Sequence, residues 1–242
     1  MGVLTVIGID CATQPNKVGL ALGTFVEGNI EVRDVRRGGA DMVDAIAGWT
    51  DSRPALLALD APLGWPAQLG PALSTHEAGR PVPADPLFER QTDRVVHERI
   101  GRKPLDVGAD RIARTARAAL DLIRSLEQRF DIQIPIAWEP SIEGIQAIEV
   151  YPAGTLKAHG FIHSGYKRKH QEAERAAMLE ELSGELWFSR GIGQEAMSDD
   201  ELDAVACLLA ARDFLSGNAI PPDNAEVARK EGWIWVRDPE AT

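Results

Sequence analysis

Leu4-Thr5-Val6-Ile7-Gly8-Ile9-Asp10 is a short apolar run, rich in β-branched residues, that ends on a carboxylate. It is too brief for a buried helix and reads as a buried strand. After a turn at Gln14-Pro15-Asn16, a second strand is expected over about Lys17 to Val26, and Gly28-Asn29 turns into a third, about Ile30 to Arg37. So short a link makes these two an antiparallel hairpin. A helix follows around Ala40 to Thr50, with Met42, Val43, Ile46 and Ala47 as its apolar side. Pro54 then opens another buried strand, Ala55-Leu56-Leu57-Ala58-Leu59-Asp60, which also ends on Asp and breaks off at Ala61-Pro62-Leu63-Gly64-Trp65-Pro66.

Further along, residues 62 to 140 read as an insertion, first rich in Pro, Gly and Arg, then helical from Ala109 to Arg129. Ala147-Ile148-Glu149-Val150-Tyr151 is a strand stopped by Pro152. Lys167 to Leu182 reads as a charged helix, Ser198 to about Leu215 as another, and Gly232-Trp233-Ile234-Trp235-Val236 as a short terminal strand. A local echo relates Asp93-Arg94-Val95 to Asp110-Arg111-Ile112, and there is no tandem repeat. Acid-ended strands, a hairpin between them and a late acidic helix imply one α/β domain over residues 1–242, its mixed sheet covered by helices.

With 44% apolar residues and six Trp among 242 residues, the chain can bury a sizeable core. No apolar run reaches the roughly 18 residues a membrane helix needs, and the N-terminus has neither the basic region nor the pattern of a targeting peptide. Two cysteines, Cys11 and Cys207, make neither a disulfide framework nor a zinc spacing. The expectation is a cytoplasmic protein without a membrane partner, its oligomeric state open. A net charge of −11 argues against an indiscriminate grip on duplex DNA and leaves room for a local basic groove.

Asp10 and Asp60, at the carboxyl ends of neighbouring strands, would sit side by side. Each alone is an ordinary turn cap; together they resemble a hard-oxygen site for Mg2+ or Mn2+, the ions that phosphodiester cleavage uses. Ser198-Asp199-Asp200-Glu201 is a capping box, which accounts for Asp199 and Glu201. It does not account for Asp203, whose face continues through the small residues Ala206, Cys207 and Ala210. These let the helix lie close to the sheet, so Asp203 is expected to point at the other two acids, with Asp200 on the same side as a further catalytic carboxylate.

Gly8-Ile9-Asp10 leading into a hairpin, and the acid-ended Leu59-Asp60, resemble the ribonuclease H-like superfamily. Asp200-Glu201-Leu202-Asp203-Ala204-Val205-Ala206 is similar to the acidic helix of the RuvC-type Holliday-junction resolvases. More closely, Gly8-Ile9-Asp10, Leu59-Asp60-Ala61-Pro62-Leu63-Gly64, Glu149-Val150-Tyr151-Pro152-Ala153 and Asp203-Ala204 together resemble the DUF429 family, described as predicted nucleases. The resemblance implies a ribonuclease H-like mixed five-stranded sheet and a divalent-metal carboxylate site. Unlike the resolvases, this chain is acidic and carries the insertion, so junction resolution is not carried over.

Other residues have two readings each. Glu149 is either a further acid of the site or part of a solvated face, and Tyr151 either lines the site or packs at a strand end. Arg90, Arg94 and Arg111, with Lys17, are candidates for substrate phosphates; an exposed helix face, or ion pairs with Asp93, Asp110 and Asp121, is the alternative for the arginines. Tyr166-Lys167-Arg168-Lys169-His170 is either a nucleic-acid contact, with Tyr166 as a stacking face, or a solvated helix start. Cys11 and Cys207 read as small buried residues near the acids.

The leading expectation is a metal-dependent nuclease or phosphodiesterase acting on structured or single-stranded nucleic acid. The alternatives are an ATP-dependent phosphotransferase of the actin and sugar-kinase type, with Asp10 to Lys17 as its phosphate hairpin, and a non-enzymatic binding protein on the same fold.

Overall fold

The first strand, β1 (Leu4–Asp10), is the centre of a six-stranded sheet. Its neighbours are β2 (Gly19–Val26) on one side and β4 (Ala55–Asp60) on the other; β3 (Asn29–Arg37), β5 (Ile145–Glu149) and β6 (Trp187–Phe188) complete the order β5-β4-β1-β2-β3-β6. The architecture is that of a computed structural model, which describes residues 3–50, 54–82, 87–108, 110–168, 170–193 and 196–241. β1 and β2, and β2 and β3, pair antiparallel, while β1, β4 and β5 run parallel. A hairpin meander followed by two parallel strands added at the other edge of β1 is the ribonuclease H-like arrangement expected from the sequence. The sixth strand departs from the expected five: only Trp187 and Phe188 pair with β3, too short a segment to announce itself by alternation.

Eight α-helices are described: α1 (Met42–Thr50), α2 (Leu69–Ser74), α3 (Gln91–Ile100), α4 (Asp110–Phe130), α5 (Pro152–Ala158), α6 (Glu172–Glu185), α7 (Asp199–Leu215) and α8 (Ala225–Glu231). They cover both faces of the sheet. Because strand side chains alternate, Val6 of β1 and Leu56 and Ala58 of β4 join the core beneath α7, whereas Ile7, Ile9, Leu57 and Leu59 join the core with Ile46 of α1 and Leu122 and Leu126 of α4. From residue 204 to residue 211 α7 is apolar all round, as a helix packed on every side must be: it crosses β1 to β4 on one side and meets α5 and α6 on the other.

Several expected boundaries move. The helix expected from Ala109 begins, within the described residues, at Asp110; the strand expected to reach Tyr151 stops at Glu149, and Pro152 starts α5 instead, its missing N–H costing nothing at the first helical position. The run Gly232–Val236 is not a strand: Ile234 makes a single bridge to Glu149, which continues the β5 edge. The helix expected from Lys167 starts only at Glu172, because Gly165 takes a left-handed φ of 95° and Arg175 reaches back to hold the carbonyls of Tyr166 and Arg168. Residues 163–168 are therefore a loop, and this change of structure matters for the site.

Candidate functional site

Two features of β1 and β4 converge on one spot. In their parallel register Asp10 lies opposite Asp60, and by alternation both share the face of Val6, Leu56 and Ala58, the face that α7 covers. α7 approaches closely because glycine lies beneath it: a Cβ on Gly8 would fall 2.1 Å from the Ala204 carbonyl oxygen, and one on Gly19 would fall 1.9 Å from that of Asp200. Ser198 fixes where α7 begins, its hydroxyl accepting from the Glu201 N–H while the Glu201 carboxylate accepts from the Ser198 N–H. Asp203, fully buried, then faces the strand ends. One carboxylate oxygen each from Asp10, Asp60 and Asp203 lie within 4.8 Å of one another.

Such proximity has an electrostatic consequence. Burial, and then the charges of Asp203 and Asp60, push the Asp10 carboxyl well above the usual range. Burial, then Asp203, push Asp60 up to about 7, against the opposing pull of Lys167. Asp203 is also raised by burial, but Lys167 and Tyr166 offset part of that. Tyr166 is buried and donates its hydroxyl to Asp203 Oδ1 at 2.5 Å, while Lys167 forms an ion pair with Asp203 Oδ2 from a half-exposed position. Burial opposes the charge of Lys167, yet Asp203, Asp60 and Asp10 together hold its pKa above the ordinary value. Among the described residues no hydrogen-bond donor reaches the Asp10 or Asp60 carboxylate. Cys11 and Cys207 both lie near the acids, each with its sulfur against the Ile9 carbonyl, and burial with the neighbouring carboxylates keeps both thiols protonated.

The other sequence candidates stand outside the cluster, although Arg90, Glu149 and Tyr151 border the cavity that Asp60 lines. Asp200 is outside the cluster: three residues along a helix leave an angular offset of about 60°, enough to put it on the partly exposed rim. There its carboxyl is raised by burial and Asp199 and lowered by Lys17 and Arg37. Lys17 is exposed at the end of a single 3-10 turn and serves that rim rather than a phosphate loop. Glu149 alternates with Ile145 and Ala147 on the face away from α7, and its carboxylate is taken by Arg90 and by the Leu63 N–H. Arg90, read from the sequence as a phosphate candidate, is 1% exposed and fully engaged by Asp93 and Glu149, so the structure gives it an internal role. Arg94 and Arg111 do not line the cavity at the site, and Arg111 lies on the exposed side of α4. Tyr166 is not a stacking face, since it is buried against Asp203. Lys169 lies outside the described residues. Tyr151 does line the cavity, its hydroxyl accepting from Arg102 Nε at 3.1 Å.

Sequence reasoning missed Tyr166 and Lys167 as partners of Asp203, and Arg102 altogether. Gly165 was the available signal, since a glycine just before a basic run favours a turn over a helix start. Beside Asp60 the structure opens a cavity of about 630 Å³, whose walls come from the sheet end, the 163–168 loop, residues 102–105, Ile112 and Thr115.

Fold and site together define a ribonuclease H-like α/β protein with a buried carboxylate cluster. Residues 8–227 match the family described as "Protein of unknown function (DUF429)", and the chain belongs to that family. No curated protein matches it. Among solved structures, T. thermophilus RuvC in complex with Holliday junction substrate is similar over 87% of this chain and 94% of that one, at 12% identity and a TM-score of 0.40, too loose a likeness to transfer residue roles. Among the described residues no helix is long and apolar enough to cross a membrane.

Proposed function

We propose that this protein is a metal-dependent hydrolase of phosphodiester bonds, a nuclease or phosphodiesterase, in which Asp10, Asp60 and Asp203 hold Mg2+ or Mn2+. The observation that carries the reading is the approach of their oxygens to within 4.8 Å of one another. The donor set fits: all three are hard oxygen ligands, and the burial and mutual repulsion that raise their pKa values are relieved by a dication. A bound divalent ion would supply Lewis acidity at a phosphoryl oxygen and lower the pKa of water.

The chain's own residues do the rest. Tyr166 fixes the rotamer of Asp203 by donating to Oδ1. Lys167, lining the cavity next to Asp203, sets an ammonium where a phosphate oxygen would approach. Asp200 acts from the rim, its charge adding to the pressure on Asp10. The partner read for the site is nucleic acid or a piece of it, gripped locally, because a net charge of −11 argues against an indiscriminate grip on duplex. Two free thiols suit a reducing compartment, and we read the enzyme as cytoplasmic.

The test is hydrolysis of bis(p-nitrophenyl) phosphate and of single-stranded and branched DNA, with Mg2+ or Mn2+ supplied. Activity is expected to depend on the ion and to fall by at least about 100-fold in Asp10→Asn. Metal-dependent hydrolysis left intact by that substitution would refute the reading.

A further inference from the structure

The cavity beside Asp60 has a composition that the carboxylates alone do not explain. Its volume, about 630 Å³, is that of a small-molecule site. Lys167 and Arg168 of the 163–168 loop line it, and so do Arg102, Leu105 and Ile112 of the insertion. The insertion thus borders the same cavity as Asp60 rather than standing apart from it.

The cations in this cavity are not equivalent. Lys103 is answered by Glu89 at 3.1 Å and Asp106 at 3.5 Å, and Lys167 by Asp203. Among the described residues no carboxylate pairs with Arg102 or Arg168. Arg102 gives only its Nε to the Tyr151 hydroxyl, which orients the guanidinium and leaves both Nη groups for another acceptor. Two guanidiniums without carboxylate partners, in a cavity that ends on a carboxylate cluster, suit a phosphate bound bidentately. The Tyr151 ring itself is seated against Gly154, where a Cβ would fall 2.6 Å from the ring, and with Leu105 and Ile112 it gives the cavity an apolar part.

We propose that this cavity is the substrate subsite and that it takes a nucleotide-sized phosphate ester, its phosphate between Arg102, Arg168 and the carboxylate end, its base along Tyr151, Leu105 and Ile112. The proposal rests on the hydrolase reading and narrows its substrate from nucleic acid in general to one nucleotide unit. The acidic net charge disfavours a duplex laid across the site.

The experiment is calorimetric titration of the full chain, in the presence of Ca2+, with each of the four nucleoside 5′-monophosphates, with inorganic phosphate and with a short DNA duplex. At least one monophosphate is expected to bind about tenfold more tightly than inorganic phosphate and more tightly than the duplex. Arg102→Ala and Arg168→Ala should each weaken it by about tenfold while leaving Mn2+ affinity unchanged; Arg168 is exposed, so its removal does not disturb folding. The proposal is overturned if no monophosphate exceeds inorganic phosphate, if the duplex binds best, or if neither arginine variant changes binding. Mn2+ titration of the same samples separates the two readings: a chain that binds Mn2+ but no nucleotide loses only the subsite, whereas one that binds no Mn2+ loses the metal centre.

Discussion

Two clusters of buried charge sit on adjacent strands of the same sheet and are finished in opposite ways. At the end of β5, Arg90 donates to Asp93 Oδ1 at 2.9 Å and to both oxygens of Glu149 at 2.7 and 2.9 Å. Glu149 also accepts from the Leu63 N–H, and Glu231 accepts from the N–H groups of Ala67 and Gln91. At the ends of β1 and β4, three carboxylates share, among the described residues, one ammonium and one hydroxyl, both engaged by Asp203. Both sites cost desolvation, but only the first recovers it from within the chain. A complete network of buried charge reads as architecture, here tying α3, α8 and the 62–67 loop to β5. An incomplete one reads as a place for something that arrives from solution.

The contrast breaks most visibly at Arg90. Arg90→Leu would strand Asp93 and Glu149 in the interior, and urea denaturation is expected to show a loss of about 3 to 5 kcal/mol. A loss below about 1 kcal/mol would mean that the network is not the keystone it resembles.

The carboxylate cluster should behave oppositely, as a liability until a cation binds. Asp60 titrates at about 7 in the fold against an ordinary 3.8, so between those values the folded chain holds a proton that the unfolded chain has released. Its contribution to metal-free stability is therefore full at low pH and lost as pH rises through about 7. Relative to Asp60→Asn, the metal-free wild type should lose stability from about pH 4 to about pH 7, and saturating Mn2+ should abolish that difference. A wild type that gains on the variant over the same range contradicts the sign.

A smaller effect sharpens the contrast at Lys167. Removing the ammonium in Lys167→Met takes away the cation paired with Asp203, which competes with an incoming ion, and Mn2+ affinity should rise by about tenfold, roughly 1.4 kcal/mol, while the metal-free protein melts earlier. The least effect belongs to Asp200→Asn, which should change Mn2+ affinity by no more than about threefold, in keeping with its place on the rim. A loss as large as that of a cluster residue would bring Asp200 into the metal centre.

Much of this was legible before any coordinates. The two Asp residues that close apolar strands, the capping box at Ser198 and the small residues after Asp203 specified the cluster, because strand register, helix start and close packing are each written in local residue types. What was not legible depended on distant partners. Arg90 looks like any surface arginine until Glu149, 59 positions later, is placed against it. Tyr166 and Lys167 belong to a run whose composition suits a helix start equally well, and only the turn at Gly165 and the grip of Arg175 make it a loop facing Asp203. Glu149 is ambiguous in the sequence because alternation puts it on the face of Ala147 but does not say what covers that face, and the Arg90 that buries it comes from a distant helix start.

The most direct measurement of the central claim is calorimetric titration of Mn2+ into the metal-free protein and into Asp60→Asn. Saturable binding to the wild type, weakened by at least about 100-fold in the variant, is the predicted result. No binding to the wild type, or the same affinity in both, would contradict a metal centre at Asp10, Asp60 and Asp203.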